Sequence, residues 1–404
     1  MSDILDSIHL QAQYLRNIKV YPIYRLLVSL MIIGPILVPY MLFKGLSYSQ
    51  IMLLQSISAI SVMLFEIPTG TIADRISRKL SLSLGSICMV IGLLIYILFK
   101  SFYAFVVAEI IFGLGLTFNS GADAAILYES LVRLDRKDEY QDREGHSSSL
   151  IFVGQGLGSI ISSMLYTKSP YSPFWISIVF IFSSIFASVC FVDPVREKSK
   201  HSYMVHVWKS FTKSITTPRL LWAVLFAVFM GFALRVSYWL YQPYFVMTNI
   251  DIFWYGMIFF FFNMVAAVGS KYIGARYYDR RPRKVLLYLA GLMAISFILP
   301  ALLVFPFMII ILALQQIVRG MYNPTMRFYI NHQVDDEQRA TVISIVSLSG
   351  SLGFAVLSPF VGISLDKAGT QFTYLAVGVV TVGSILLLTL LRRFQKEKKR
   401  RLVA

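Results

Sequence analysis

The 404-residue sequence is poor in charge, since only 14% of its residues are Asp, Glu, Lys or Arg, whereas 57% are hydrophobic and 15% aromatic. A soluble domain of ordinary composition carries about 25% charged residues. The composition therefore excludes an average soluble globular protein. Cysteine is scarce too, and the only two, Cys88 and Cys190, lie within apolar runs. We expect them to pack as small apolar side chains rather than form a disulfide or a metal pair.

Several chemical signatures are also missing. The five histidines do not have metal-ligand spacing, so the sequence predicts no metal site. No Gly-rich phosphate loop with its lysine is present, and no catalytic constellation stands out. We therefore expect no enzyme, no bound cofactor and no ATP-driven pump encoded by this chain alone.

Long apolar runs are what the sequence has in abundance. A hydrocarbon core about 30 Å thick needs roughly 20 apolar residues per helix, and twelve runs approach that length. Gly and Pro interrupt several of them, which neighbouring helices can accommodate. We predict an all-α polytopic membrane protein. The runs begin near Tyr21, Ile51, Leu80, Ser101, Ser149, Ser172, Leu220, Ile252, Val285, Val304, Thr341 and Gln371.

Lys and Arg are unevenly distributed over the connections between these runs. Basic residues in short loops are retained on the cytoplasmic side, and placing both termini inside leaves only Lys44, Lys100, Lys168 and Lys367 in outer loops. The net charge of +16 is then spread along the cytoplasmic edges, which fits anionic lipid headgroups and not nucleic acid. We predict a multi-pass protein of the cell (cytoplasmic) membrane, with both termini cytoplasmic and membrane lipids as partners.

One charged motif occurs twice. Residues 70–79 read GTIADRISRK, and about half a chain length later residues 277–284 read YYDRRPRK, with the same D-R-x-x-R-K order. Two parallel six-helix halves would each need such a joint between their second and third helices. We predict an N-terminal bundle over 1–192 and a C-terminal bundle with a basic tail over 220–404. A cytoplasmic loop over 193–219 would join them, either as an amphipathic helix on the membrane or as a floppy tether.

The repeated motif resembles the loop signature of the major facilitator superfamily, which runs Gly, two or three apolar residues, Asp, Arg or Lys, one residue, Gly, Arg, Arg or Lys. Ser77 replaces the usual second Gly in the first copy, and Pro282 stands there in the second. The resemblance implies twelve transmembrane helices in two pseudo-symmetric six-helix bundles, with a substrate cavity that opens alternately to each side of the membrane. The implied gating residues are Gly70, Asp74, Arg75, Arg78 and Lys79 in the first loop and Asp279, Arg280, Arg283 and Lys284 in the second.

Ionisable side chains inside the apolar runs are functional candidates, because charge in hydrocarbon is costly. Glu109 on the fourth run and Glu66 on the second are candidate proton carriers, since burial increases the proton affinity of a carboxylate. For Glu109 the alternative is a buried ion pair that only ties helices together. Glu66 and Lys271 occupy matching positions in the two halves, where they could form a latch or reach separately for the interface.

Two arginines and their neighbours are candidates for substrate contact. In members of the resembled family, helices one, four, seven and ten line the cavity, and Arg235 and Arg319 fall on helices seven and ten. An aromatic lining beside a cation suits an amphipathic organic substrate with some negative or aromatic character. For each arginine, structural pairing is the alternative. The residues that share these helical faces are Arg235, Tyr238, Trp239 and Gln242, and Arg319, Gln315, Gln316, Tyr322 and Asn323.

The sequence thus predicts a secondary active transporter that is monomeric, moves a small organic substrate and uses protons as the coupling ion. Resemblance to bacterial drug-efflux members and the aromatic cavity helices favour proton-coupled export of amphipathic organic compounds, as by an antiporter. The family's helix-five antiporter motif is only partly present, as Gly154, Gly156 and Gly158 without the Pro. Two alternatives stay open. Cavity arginines favour proton-coupled uptake of an anionic metabolite, and the basic rim favours a protein that moves or senses lipid without proton coupling.

We predict that Asp74→Asn or Asp279→Asn slows the interconversion of inward and outward states more than it weakens substrate binding. An Asp beside a helix N-terminus contributes about 0.3 to 1 kcal/mol, and such a contact can be made in one state and broken in the other. Transport rates in proteoliposomes, compared with equilibrium binding, check this. Transport by both variants at the parent rate would contradict a gating role.

Overall fold

A computed structural model describes residues 2–194, 218–269, 282–334 and 336–401 of the chain. Helices and short connections make up these residues, and no β-strand occurs among them. Nine helices within the described ranges are long and apolar enough to cross a membrane. The prediction of an all-α polytopic protein is therefore confirmed.

The eighth and tenth predicted runs correspond to helices that are not among these nine. Ile252–Val268 is an apolar helix of 17 residues, and Ile309–Asn331 covers the tenth predicted run. The apolar stretch Thr341–Leu391 has 51 residues, whereas roughly 20 suffice for one crossing. Gly369, with a φ of 80°, interrupts the helical backbone inside that stretch. The total of twelve spans stays a prediction.

The chain divides into two compact units. Two short segments, 47–56 and 252–260, group with the unit that is built mainly from the other half of the sequence. Unit 1 comprises Met1–Leu46, Ile57–Ser199 and Ile252–Phe260, and unit 2 comprises Ser47–Ser56, Lys200–Asp251 and Phe261–Ala404.

The first half of the chain forms eight α-helices. Ser77 begins α4, where its hydroxyl accepts a hydrogen bond from the Leu80 amide at 3.0 Å, as expected of a helix N-cap. Gly121 separates α5 from α6 in the left-handed region, with a φ of 77°. The helices are α1 (Ser2–Ser29), α2 (Leu37–Phe43), α3 (Tyr48–Arg75), α4 (Arg78–Leu98), α5 (Phe102–Asn119), α6 (Ala122–Arg133), α7 (Tyr140–Tyr166) and α8 (Ser172–Val189).

Helix α7 starts at Tyr140, well before the predicted start near Ser149. The charged residues ahead of the apolar run stabilise this extension. Arg143 pairs with Glu139 at 3.1 Å one helical turn away, and Arg136 pairs with the same carboxylate at 2.6 Å. Ion pairs at this spacing support helices even where the sequence is polar.

The second half forms five α-helices in the described residues. The longest, α13, is broken at Gly369 as noted above, and the predicted amphipathic helix of the central loop lies outside the described residues. The helices are α9 (Pro218–Met247), α10 (Ile252–Val268), α11 (Pro282–Leu302), α12 (Ile309–Asn331) and α13 (Asp336–Arg401).

Unit 1 is held together by aromatic burial and by hydroxyl pairs. Tyr21 and Tyr24 of α1 are completely buried, in a core with Ile126 of α6 and Phe191 after α8. Helices α4 and α8 share two serine pairs, in which the Ser86 and Ser184 hydroxyls lie 2.8 Å apart and those of Ser83 and Ser188 2.7 Å apart. Small hydroxyl residues of this kind let helices approach closely within a membrane.

Lys44, in the connection after α2, caps the C-terminus of α4. Its ammonium donates to the carbonyl oxygens of Ile97 at 2.8 Å and Phe99 at 3.1 Å, where the helix dipole favours a cation. Burial, and secondarily the charge of Lys100, lowers the pKa of the Lys44 ammonium.

In unit 2, α9 and α13 come into backbone contact at glycines. A Cβ added at Gly231 would lie 2.5 Å from the Cα of Gly350, and one added at Gly353 would lie 2.4 Å from the Val228 carbonyl oxygen. No side chain fits at these positions, so the glycines Gly231, Gly350 and Gly353 determine how closely α9 and α13 pack. This contact sets one wall of the site described below.

We predict that Gly231→Val lowers the thermal unfolding midpoint of the protein in detergent. The added methyl groups must push α9 away from α13, and overpacking of this kind costs about 1 to 3 kcal/mol. The control is the same change at Gly291 in α11, where a Cβ would meet no atom within 4 Å. An equal decrease in both variants would mean that loss of glycine alone, and not the close contact, is responsible.

Candidate functional site

Helices α9, α12 and α13 of unit 2 line a partly open cavity of about 330 Å³. The glycine contact forms part of its wall, because Gly231 and Gly350 both line it. Polar and apolar side chains share the rest of the surface. They are Arg235, Arg319, Tyr322, Asn323, Arg327, Ser347 and Ser351, and Leu234, Met326, Ile330, Ile343 and Val346.

Arg235 lies one helical turn after Gly231 on α9 and extends over α13. Its Nη2 donates to the Ser351 hydroxyl at 2.8 Å, and its guanidinium carbon lies 5.9 Å from the centre of the Phe354 ring. Both contacts are with neutral side chains, so the positive charge of Arg235 is not cancelled by them.

Helix α12 supplies the other two arginines. Residues 319, 323 and 327 recur every four positions, so they share one face of this helix, and all three line the cavity. The Arg319 Nη2 donates to the Asn263 amide oxygen of α10 at 3.1 Å. This partner is also neutral.

The cavity is therefore strongly cationic. Three of its side chains are arginines, and none of its lining residues is Asp or Glu. In the part of the chain that the structure describes, no ion pair involves Arg235, Arg319 or Arg327. A guanidinium stays charged at any ordinary pH, so this surface favours an anion.

The structure brings together four of the residues expected from sequence, namely Arg235, Arg319, Tyr322 and Asn323. It adds Arg327, which was not among the residues expected from sequence. The signal for Arg327 was present in the sequence, because it follows Asn323 by one helical turn on the same face.

Five other candidates lie elsewhere in unit 2. Gln242, Gln315 and Gln316 are almost completely buried, and the Gln316 amide donates to the Tyr241 hydroxyl at 2.9 Å. None of the three lines the cavity.

Tyr238 and Trp239 also lie outside the lining residues, and their rings pack edge to face with centres 5.5 Å apart. Direct substrate contact by these two aromatic residues and the three glutamines stays a prediction.

Glu109 lies on α5 in unit 1 and is only 5% exposed. It accepts a hydrogen bond from the Tyr96 hydroxyl of α4, and the Tyr96 ring stacks on Phe105 with centres 4.9 Å apart.

Glu66, the second proton candidate, is exposed on α3. The residue proposed to face it, Lys271, lies outside the described residues. The latch between them therefore stays a prediction.

The first repeated loop is organised around Arg78. This arginine is buried, and its Nη1 lies 2.7 Å from a Glu129 carboxylate oxygen of α6, while its Nη2 lies 3.5 Å from Asp74. Asp193, which follows α8, accepts hydrogen bonds from the amides of Arg78 at 3.0 Å and Lys79 at 3.2 Å. In this structure the N-terminus of α4 is thus met by Asp193, whereas Asp74 contacts Arg78.

The second loop is described only in part. Asp279 and Arg280 lie outside the described residues. Arg283 lies with its guanidinium carbon 5.1 Å from the centre of the Trp222 ring, a cation–π distance, and Lys284 is exposed at the start of α11.

A second charged cluster in unit 1 joins α1, α6 and α7. Arg25 pairs with Asp123 at 2.7 Å and with Glu144 at 3.4 Å. The Tyr21 hydroxyl donates to Glu144, and the Arg25 Nη1 donates to the same hydroxyl at 3.2 Å. In contrast to the cavity arginines, Arg25 is surrounded by carboxylates.

Comparison with known proteins assigns the fold. The sequence model described as Major Facilitator Superfamily matches residues 26–304 and 243–404. A Bacillus subtilis (strain 168) protein described as "Uncharacterized MFS-type transporter YxaM" is 23% identical over 375 residues, which cover 90% of this chain and 92% of that protein.

Solved structures show the same architecture. The nucleoside transporter NupG superposes with a TM-score of 0.76 at 14% identity, covering 95% of this chain and 98% of that chain. A POT family transporter with a bound thioalcohol-conjugated peptide gives a TM-score of 0.71 at 12% identity, covering 94% and 96% of the two chains. At these identities the likeness concerns the fold alone.

We predict that Asp123→Asn lowers the thermal unfolding midpoint, because it replaces an ion-paired hydrogen bond with Arg25, worth about 1.5 to 3 kcal/mol, by a weaker one to a neutral acceptor. The decrease should be larger than for Asp138→Asn, a matched change at an exposed position before α7. Equal midpoints for the two variants would show that the Arg25 cluster does not hold α1 to α6.

Proposed function

The chain belongs to the major facilitator superfamily, a family of transporters and not of enzymes, and we propose that it couples proton movement to the export of amphipathic organic compounds. The observation that carries this proposal is the cavity of unit 2. It lies among helices α9, α12 and α13 and combines charged, aromatic and aliphatic side chains. A surface of this mixed kind suits a compound with a polar head and an apolar body.

The size of the cavity is consistent with a small organic substrate. Its volume of about 330 Å³ lies at the lower end of the range of about 300 to 1,000 Å³ found for small-molecule sites. Nucleosides and peptides are named for the two transporters of similar fold. Neither substrate class is transferred to this chain, because the likeness is one of fold.

Alternating access is proposed to work through the two predicted bundles, 1–192 and 220–404. The Arg78 cluster lies at the joint between α3 and α4, where three carboxylates, from Asp74, Glu129 and Asp193, surround one short loop. Contacts of this kind can be exchanged when a loop moves. The second loop would act in the same way through Asp279, Arg280, Arg283 and Lys284.

Glu109 is the proposed proton carrier. It is a carboxyl group that is 5% exposed on a membrane-spanning helix, and ionisable groups in that position are functional candidates. If another conformation gives the carboxyl group water or a cation, the group ionises there, and conformation sets its proton affinity. By linkage, a proton taken from one side then biases which conformation is populated. Glu66 is the next candidate.

Export is proposed on the resemblance to drug-efflux members, with a monomer in the cytoplasmic membrane and both termini inside. Uptake of an anionic metabolite with protons is the second candidate, because the cavity has three arginines and no acidic lining residue. The two directions differ in one observable. Export by antiport moves substrate against the imposed proton flux, whereas uptake by symport moves both together.

We predict that Glu109→Gln keeps substrate exchange but loses transport driven by a pH gradient. The neutral amide can still accept the Tyr96 hydrogen bond but cannot carry a proton. The measurement is proton flux in proteoliposomes, reported by an entrapped pH-sensitive dye, during movement of naphthalene-2-sulfonate as an amphipathic probe.

The matched control is Glu139→Gln, on the polar connection before α7. Its coupling should equal that of the parent. Undiminished proton coupling in Glu109→Gln would exclude this residue as the carrier, and the same assay on Glu66→Gln would follow.

A further inference from the structure

We propose that the cavity of unit 2 selects organic anions, with Arg235, Arg319 and Arg327 binding the oxyanion of a carboxylate, sulfonate or phosphate group. This inference rests on the proposed function, because it specifies the substrate class of the same cavity. It adds Arg327 to the binding residues and gives them a common role.

The lining of the cavity carries a net positive charge. Three arginines line a cavity of about 330 Å³ that has no acidic side chain in its lining. All three arginines are exposed, so water partly screens the repulsion between them. A bound anion offsets the repulsion that remains, which favours an anionic ligand over a neutral or a cationic one.

The cavity arginines have N–H donors that the protein does not fully use. Each guanidinium has five N–H donors and no acceptor. The partners of Arg235 and Arg319 are single neutral oxygens, from Ser351 and Asn263. Donors therefore remain for a ligand, and the planar guanidinium matches the geometry of two oxygens on one oxyanion.

The arginines of unit 1 differ from those of the cavity. In unit 1, Arg25 is paired with two carboxylates and Arg78 with two others. Arginines that tie helices together are thus neutralised by the protein itself. The cavity arginines have no such pairs in the described residues, and in our proposal a bound ligand supplies their counter-charge.

Aliphatic side chains in the lining are suited to the apolar part of a ligand. Leu234, Met326, Ile343 and Val346 face the same cavity as the arginines. Burial of apolar surface against such side chains stabilises a complex by about 25 cal/mol per Å². The ligand that fits both parts has an anionic head and an apolar body, and an inorganic ion alone would leave the aliphatic wall unused.

The test uses three naphthalene probes that share one ring and differ in charge. They are naphthalene-2-sulfonate, the neutral naphthalene-2-sulfonamide and the cationic 2-naphthyltrimethylammonium. Binding to the purified full-length protein in an uncharged detergent is followed by probe fluorescence. We expect the sulfonate to bind at least tenfold more tightly than the cation, with the sulfonamide between them.

Variants then assign the preference to the arginines. Arg235→Gln, Arg319→Gln and Arg327→Gln should each weaken sulfonate binding about tenfold, as expected for loss of a charged hydrogen bond, and should change sulfonamide binding much less. Arg235→Lys keeps the charge and should recover part of the preference, which separates a charge effect from misfolding. Arg136→Gln, at a surface arginine paired with Glu139, is the matched control and should bind like the parent.

Two results would overturn the proposal. One is equal affinity of the parent for the sulfonate and the cation, and the other is an unchanged sulfonate preference in all three Gln variants.

A lipid headgroup could supply the same oxyanion chemistry, and nanodiscs separate the two sources. Equal sulfonate affinity in zwitterionic phosphatidylcholine and anionic phosphatidylglycerol nanodiscs supports a soluble anion, whereas loss of binding only with phosphatidylglycerol supports a lipid headgroup of net negative charge as the occupant of the anion site.

Failure here is distinguishable from failure of the proposed function, because equilibrium binding requires no gradient. Anion-selective binding without gradient-driven movement would refute proton-coupled transport and leave the cavity assignment standing. Gradient-driven movement with no charge preference in binding would refute the anion-selective cavity and leave proton-coupled transport standing.

Discussion

An ionised side chain among membrane-spanning helices must be paired, hydrated or bound to a ligand, and the organisation of this protein depends on that constraint. Two arginines and a glutamate of unit 1 satisfy it by internal contacts. Arg25 and Arg78 each lie between carboxylates on different helices, and the hydroxyl of Tyr96 meets Glu109. Unit 2 leaves three arginines around a cavity. The two units of a pseudo-symmetric family fold therefore have different chemical roles in our proposal.

The packing of the helices makes this arrangement possible. Gly231 and Gly350 bring α9 and α13 into backbone contact, and Arg235 and Ser351 lie hydrogen-bonded beside this contact in the wall of the cavity. In unit 1, serine pairs and buried tyrosines perform the corresponding packing between α1, α4 and α8. Small residues thus determine where the charged side chains can lie.

Much of the fold could be predicted from the sequence, because long apolar runs have few structural alternatives. The extension of α7 before Ser149 was missed, since a polar, mixed-charge segment gives no apolar periodicity and its helix is supported by ion pairs around Glu139. Helical spacing grouped Arg319 with Tyr322 and Asn323, which line the cavity with it, and with Gln315 and Gln316, which do not. Spacing along one helix cannot show contacts between distant parts of the chain, such as the hydrogen bond from Arg235 to Ser351.

In our proposal the substrate supplies the negative charge that the lining of the unit 2 cavity lacks. The most direct measurement is the charge displaced when substrate binds, recorded from proteoliposomes adsorbed on a solid-supported membrane. Rapid addition of naphthalene-2-sulfonate at equal pH on both sides should produce a transient current with the sign of an anion entering the protein, and the current should shrink when Arg319 is replaced by Gln. The absence of this current would contradict the proposal. A current of the same size and opposite sign on addition of the cationic 2-naphthyltrimethylammonium would contradict it as well.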